Sequence, residues 1–191
     1  KVEGGAVKSR RSIRLKGYDY SQNGAYFITV CTQNRECLFG DVADGKMILN
    51  DFGKLVLSTW LDLTNHNSGI ELDAFVVMPN HIHGIICIVG AGSKPALCLN
   101  KPDISWAGLE PAPTDQKLSE IVRQLKTFSA RRINQHRKIL GQPIWQRNYY
   151  EHIIRDEKSL NRIREYIQNN PLKWVLDENN PDNVPLPRKT P

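Results

Sequence analysis

Long apolar runs are missing from this 191-residue chain. No segment approaches the ~20 consecutive apolar residues a membrane-crossing helix needs, so a bilayer span is not expected. The first stretch, KVEGGAVKSRRSIRLKG, lacks the apolar core of an export signal, and secretion is not expected either. Cysteine is scarce: the four fall at 31, 37, 87 and 98, with no C-x-x-C pair, which excludes the common zinc-finger spacings. Cys31 and Cys87 sit in apolar runs, where buried free thiols are expected, as suits a reducing cytoplasm. No internal repeat is visible, so solenoid architectures fall away.

What is present is a basic, ordinarily hydrophobic chain. The net charge is +6, with 40% hydrophobic and 24% charged residues. This composition suits one folded domain, and the charge raises the prospect of a nucleic-acid partner. Lys8, Arg10, Arg11, Arg14 and Lys16 crowd the N-terminal stretch, and Lys117, Arg123, Lys126, Arg131, Arg132, Arg137 and Lys138 form a second group. A solvated helix face and a loose tail explain these cations as well as phosphate contacts do.

Hydrophobic periodicity divides the chain. Residues 25–33 read as a strand, and Asn50 or Asp51 caps a helix bearing Phe52, Leu55, Val56, Trp60 and Leu63. Residues 72–78 and 81–89 read as a hairpin turning at Pro79-Asn80. Residues 90–114, rich in Gly, Ser and Pro, read as a long mobile loop. A basic helix over about 115–138 follows, with Leu118, Ile121, Val122, Leu125 and Phe128 as its apolar stripe. A short strand at 149–154 precedes a last helix, capped by Asp156 or Ser159 and stopped by Pro171. The tail, 176–191, reads as extended. The order implies an α+β fold: a ferredoxin-like antiparallel sheet with helices packed on one face.

Chemistry concentrates in two places. His81 and His83 are two apart in a strand and so share a face, the geometry of two imidazole ligands on one divalent cation. A pair of surface or hydrogen-bonded histidines is the plainer explanation of so short a motif. The second place is LNRIREYIQNNP at 160–171, where Tyr166 and Asn170 are neighbours on one helix face. The Asn170 carbonyl offers the oxygen that Mg²⁺ prefers, although packing for the tyrosine and a cap for the asparagine explain them equally. Tyr149 and Tyr150 should point to opposite faces by strand alternation.

Taken together, GYDYSQNGAYFITVCTQNR (17–35), AFVVMPNHIHGII (74–86), LSEIVRQLKTFSARRIN (118–134) and IWQRNYYEHIIRDEKSLNRIREYIQNNPLKW (144–174) resemble the REP-associated tyrosine transposases. These are members of the HUH endonuclease superfamily and relatives of the single-tyrosine insertion-sequence transposases. The resemblance implies a basic arm over 1–16, the transposase domain over 17–175 and a tail beyond. It implies Tyr166 as nucleophile, His81 and His83 as metal ligands, and Asn170 as the third ligand, with Asn169 or Gln168 as alternatives. It also implies Mg²⁺ or Mn²⁺ as cofactor and cleavage of single-stranded DNA near a REP-type hairpin through a 5′-phosphotyrosine. The protein would be cytoplasmic and nucleoid-associated, a monomer or homodimer. Arg10, Arg11, Arg14, Lys16, Arg123, Lys126, Arg131 and Arg132 are the candidate DNA contacts. Trp106, Trp145 or Tyr149 are candidates for base stacking, although core packing suits Trp145 better. The rival functions are a non-catalytic hairpin-binding protein on the same scaffold, a metal hydrolase that uses water, and a ferredoxin-like RNA-binding module.

Overall fold

The computed structural model describes residues 23–89 and 117–183. The expected basic arm with Arg10, Arg11, Arg14 and Lys16, the 90–114 loop with Trp106, and the end of the tail lie outside these residues.

A four-stranded antiparallel sheet runs in the order β4-β5-β1-β6. Its strands are β1 (Gly24–Cys31), β4 (Ile70–Val77), β5 (His81–Ile88) and β6 (Tyr150–Ile154). The first and third of these strands in the chain are central and the second and fourth are edges, which is the ferredoxin-like arrangement. Two crossover helices, α1 (Asp51–His66) and α2 (Leu118–Arg137), join them. The Asn50 side chain caps α1 by accepting from Gly53 N–H, and Asp156 caps the last helix, α3 (Glu157–Asn169), through Ser159 N–H. A small hairpin of β2 (Gly40–Ala43) and β3 (Lys46–Leu49) precedes α1. The sequence does not announce it, because its strands are short and largely exposed.

Strand alternation sorts the core into two layers. Tyr26, Ile28 and Val30 of β1 and Ile82, Ile86 and Ile88 of β5 pack against Val56, Trp60, Leu63, Leu118, Ile121, Val122 and Leu125 of α1 and α2. Ala25, Phe27, Ile85 and Cys87 point the other way, onto Leu160 and Ile167 of α3. The two crossover helices thus share one face as expected, but α3 crosses to the other, so the sheet is covered on both sides. The hydrophobic pattern shows that a helix has an apolar stripe, not which sheet face will receive it.

Cys87 is disulfide-bonded, which corrects the expected free thiol. Cys31 and Cys37 are free. The tail also differs from expectation. Pro171–Leu176 form a 3-10 helix, and the turns that follow bury Asn179 and Asn180 rather than running extended. Among the described residues, no helix is long and apolar enough to cross a membrane.

Candidate metal and tyrosine site

β5 begins at His81, directly after the Pro79-Asn80 turn, and its odd-numbered residues face α3. His81 and His83 therefore stand side by side on that face, with Nε2 atoms 3.1 Å apart. They are 0% and 2% exposed. Pairing with β1 places Cys31 opposite His81 and Thr29 opposite His83. Thr29 Oγ1 lies 2.8 Å from His83 Nδ1, and Asn80 Oδ1 lies 2.9 Å from His81 Nδ1. The His83 ring also stacks on Phe27, centroids 5.4 Å apart.

α3 brings Tyr166 over this pair. Its hydroxyl is 3.3 Å from His83 Nε2, and its ring meets Phe27 edge-on. The side chain is 41% exposed, open enough for a macromolecular substrate to reach. A paired Asp73–Arg164 holds the helix to β4. Arg164 donates through Nε and Nη2 to the two carboxylate oxygens at 2.9 and 2.5 Å. Asp73 is available because β4 changes register between Leu72 and Phe75, as a bulge re-aims a side chain.

The chain then folds back over the histidines. Asp177 Oδ2 lies 4.0 Å from His81 Nε2, and Asn170 Nδ2 donates to the same oxygen at 3.5 Å. Asn170 is buried, and its Oδ1 has no hydrogen-bond partner. His81, His83 and Asp177 place one ligand atom each within 4.8 Å of one another. This grouping could hold a metal ion. Asp177 is absent from the expectation from sequence, because it sits in a stretch rich in Asn, Asp and Pro that has no periodicity.

The electrostatics follow from burial. Desolvation pushes the His81 imidazole down to about 4, against the upward pull of Asp177. Burial, and then the neighbouring His81, hold His83 well below its ordinary value. Both rings are neutral at physiological pH, so the contact between His81 and Asp177 is not an ion pair there. Burial raises the Tyr166 hydroxyl above its usual range, and Asp177 adds to the rise.

Other expected residues fall elsewhere. Arg123, Lys126, Arg131 and Arg132 all lie on α2, across the sheet from the histidines. Arg123 pairs with Glu120, Lys126 donates to the Gln146 and Arg147 carbonyls, and Arg132 donates to Thr59 and Asp62. Trp145 is buried and donates to Ser129 Oγ, and Tyr149 packs with the α1/α2 layer. Tyr150, paired with Thr29 and in edge contact with Phe27, is a second half-exposed aromatic on the histidine side, beside Tyr166. Gln168 lines a surface cavity beside Asp73, away from the buried Asn170.

The four-stranded antiparallel sheet with helices packed on it is the fold of a solved transposase structure. The model of the IS200-like transposases matches residues 109–170. An uncharacterized protein of Haemophilus influenzae is 43% identical over 90% of this chain and 93% of its own length. A second H. influenzae protein, named as a REP-associated tyrosine transposase, is 28% identical over 81% of this chain and 74% of its own. The fold also matches the solved structure of a REP-associated tyrosine transposase bound to a REP hairpin. The TM-score is 0.55 at 20% identity, covering 85% of this chain and 74% of that one. Residues 109–170 thus match the IS200-like transposases, and the chain is similar in sequence and fold to REP-associated tyrosine transposases.

Proposed function

We propose that this protein is a metal-dependent endonuclease and strand transferase for single-stranded DNA, acting beside REP-type hairpins through a 5′-phosphotyrosine on Tyr166. The observation that carries this reading is the convergence of the α3 phenol on the paired imidazoles, 3.3 Å from His83 Nε2, with the tyrosine still open to solvent.

The residues fit a divalent cation. Neutral imidazole is the form that ligates, and burial keeps both rings in it. The two Nε2 atoms, 3.1 Å apart on one face, would let both rings hold one ion. Asp177 adds a carboxylate oxygen, and the unpartnered Asn170 Oδ1 adds a neutral one. That oxygen favours Asn170 over Asn169 or Gln168 as the ligand on α3. This set suits Mg²⁺ or Mn²⁺. A cation bound there would polarise the scissile phosphate and offset charge gathering on its oxygens.

Tyr166 supplies the nucleophile. Its oxygen gives up its proton and bonds to phosphorus, the bond to the 3′-oxygen breaks, and that oxygen takes up a proton as the strand leaves with a 3′-hydroxyl. The phosphodiester energy is kept in the phosphotyrosine, so a second 3′-hydroxyl reverses the step and is joined. Because burial raises its pKa, the phenol keeps its proton until attack. Tyr150, on the same face one strand beyond Thr29, supports base stacking.

The test incubates the protein with labelled single-stranded hairpin oligonucleotides, in Mg²⁺, Mn²⁺ or EDTA, and resolves the products on a denaturing protein gel. A metal-dependent covalent adduct, kept in Tyr150→Phe and abolished in Tyr166→Phe, is expected. Cleavage without adduct would indicate a water-using hydrolase, and tight binding with neither would indicate a non-catalytic hairpin-binding protein.

A further inference from the structure

We propose that Asn80 and Thr29 set where the protons sit on the paired histidines, and that a divalent cation switches the tautomer of His83 while leaving that of His81 unchanged. The switch rests on the metal-binding reading above; the proton positions in the metal-free protein do not.

The inference begins with Asn80, which is fully buried. Its Nδ2 donates to two backbone carbonyls, Arg35 O at 3.0 Å and Asn179 O at 2.7 Å. Carbonyls only accept, so both amide hydrogens are committed and the orientation of the amide is settled by its partners. Oδ1 is then the atom facing His81 Nδ1 at 2.9 Å. An acceptor there requires hydrogen on Nδ1. A neutral imidazole carries only one N–H, so His81 Nε2 is bare and points into the site.

His83 answers to a different kind of partner. Its Nε2 faces the bare Nε2 of His81 at 3.1 Å, with the Tyr166 hydroxyl at 3.3 Å. Two bare nitrogens at that distance would set lone pairs against each other. In the metal-free protein His83 therefore carries its hydrogen on Nε2 and donates to His81. Its Nδ1 is left bare and accepts from the Thr29 hydroxyl at 2.8 Å.

A cation held by both Nε2 atoms changes only one of these assignments. His81 already presents a lone pair. His83 must lose its hydrogen from Nε2 and gain one at Nδ1, so no proton is released overall. Thr29 then accepts where it had donated. A hydroxyl makes that reversal by rotating about one bond, and a doubly committed amide cannot. Asn80 is thus the fixed positioning residue of the pair and Thr29 the adjustable one. Asn80 also ties the Asp177–Asn179 turn to β5, so one buried amide aligns ligands from both segments.

Two-bond ¹H–¹⁵N correlation spectra of protein labelled with ¹⁵N-histidine read tautomers directly, with His81→Gln and His83→Gln assigning the signals. In EDTA, His81 should be protonated at Nδ1 and His83 at Nε2; saturating Mg²⁺ should move only His83, to Nδ1. Protonation of His81 at Nε2 in EDTA would overturn the role of Asn80. An unchanged His83 at Mg²⁺ saturation, judged by calorimetry, would overturn the switch. Failure of Mg²⁺ to bind at all would sink the metal reading and the switch together, while the EDTA spectrum still decides the Asn80 assignment. Thr29→Val should weaken Mg²⁺ binding by ~10-fold, and Thr29→Ser should restore it. Equal loss in both would reduce Thr29 to a packing residue.

Discussion

Lys126 donates to the carbonyls of Gln146 and Arg147, and so anchors the segment ahead of β6 instead of reaching for phosphate. Charge on a helix can be read from sequence; the partner it finds cannot. Lys126→Ala should cost about 1 kcal/mol, near the low end for hydrogen bonds from a charged group because the side chain is half-buried. That lowers Tm by roughly 2–4 °C, with the salt dependence of DNA binding unchanged. An unchanged melt together with a salt slope shallower by about one phosphate contact would restore Lys126 as a DNA ligand. His81 and His83 were legible because a strand has a period of two residues, which places both rings on one face whatever the rest of the chain does. Asp177 was not, because only the tertiary return of the chain brings it to His81.

Among the elements, α3 depends most on a single clamp. Arg164 is two residues from Tyr166, and its paired bonds to Asp73 set the helix against β4. Both side chains are largely buried, 19% and 9% exposed. Asp73→Asn removes the charge while keeping the shape, and should cost about 2–3 kcal/mol in urea unfolding, since one partner of a largely buried pair is left uncompensated. Adduct formation should slow under conditions where the variant remains folded. Full stability with a full rate would mean that helix packing alone places the tyrosine. The stripes of α1 and α3 were plain in the sequence and their caps were narrowed to Asn50 or Asp51 and Asp156 or Ser159, of which the structure selects Asn50 and Asp156. The β2–β3 hairpin was not, since GDVA and KMIL alternate weakly and bury little.

Across the whole molecule, one sheet face builds stability and the other builds the site. α1 and α2 close the first face with the larger apolar cluster, and α3 and the returning tail cover the second. Ligands drawn from β5 and from the turn after α3 should make metal binding stabilise the fold. Mg²⁺ at about 100 times its Kd adds ~2.7 kcal/mol, which raises Tm by roughly 5–10 °C for a chain of this size. EDTA should remove that gain, and His83→Ala should abolish it. An equal rise in wild type and His83→Ala would mean that the cation acts elsewhere. The ferredoxin-like order was readable from the succession of elements, but the face taken by α3 depends on which layer still has room, and no local pattern carries that.

Among the described residues after Trp145, only the partly buried Tyr149 and Ile153 pack against the larger cluster, and none after Ile167 enters either cluster. Yet Asn170, Asp177 and Asn179 complete the surroundings of His81. The ribosome therefore delivers the paired histidines early and the residues that enclose them almost ninety or more positions later. The four sheet strands and both crossover helices are synthesised before Tyr166 and the turn that carries Asp177. The proposed cleavage chemistry would become possible only once the last of the described residues, Asn170 and Asp177 among them, has been made.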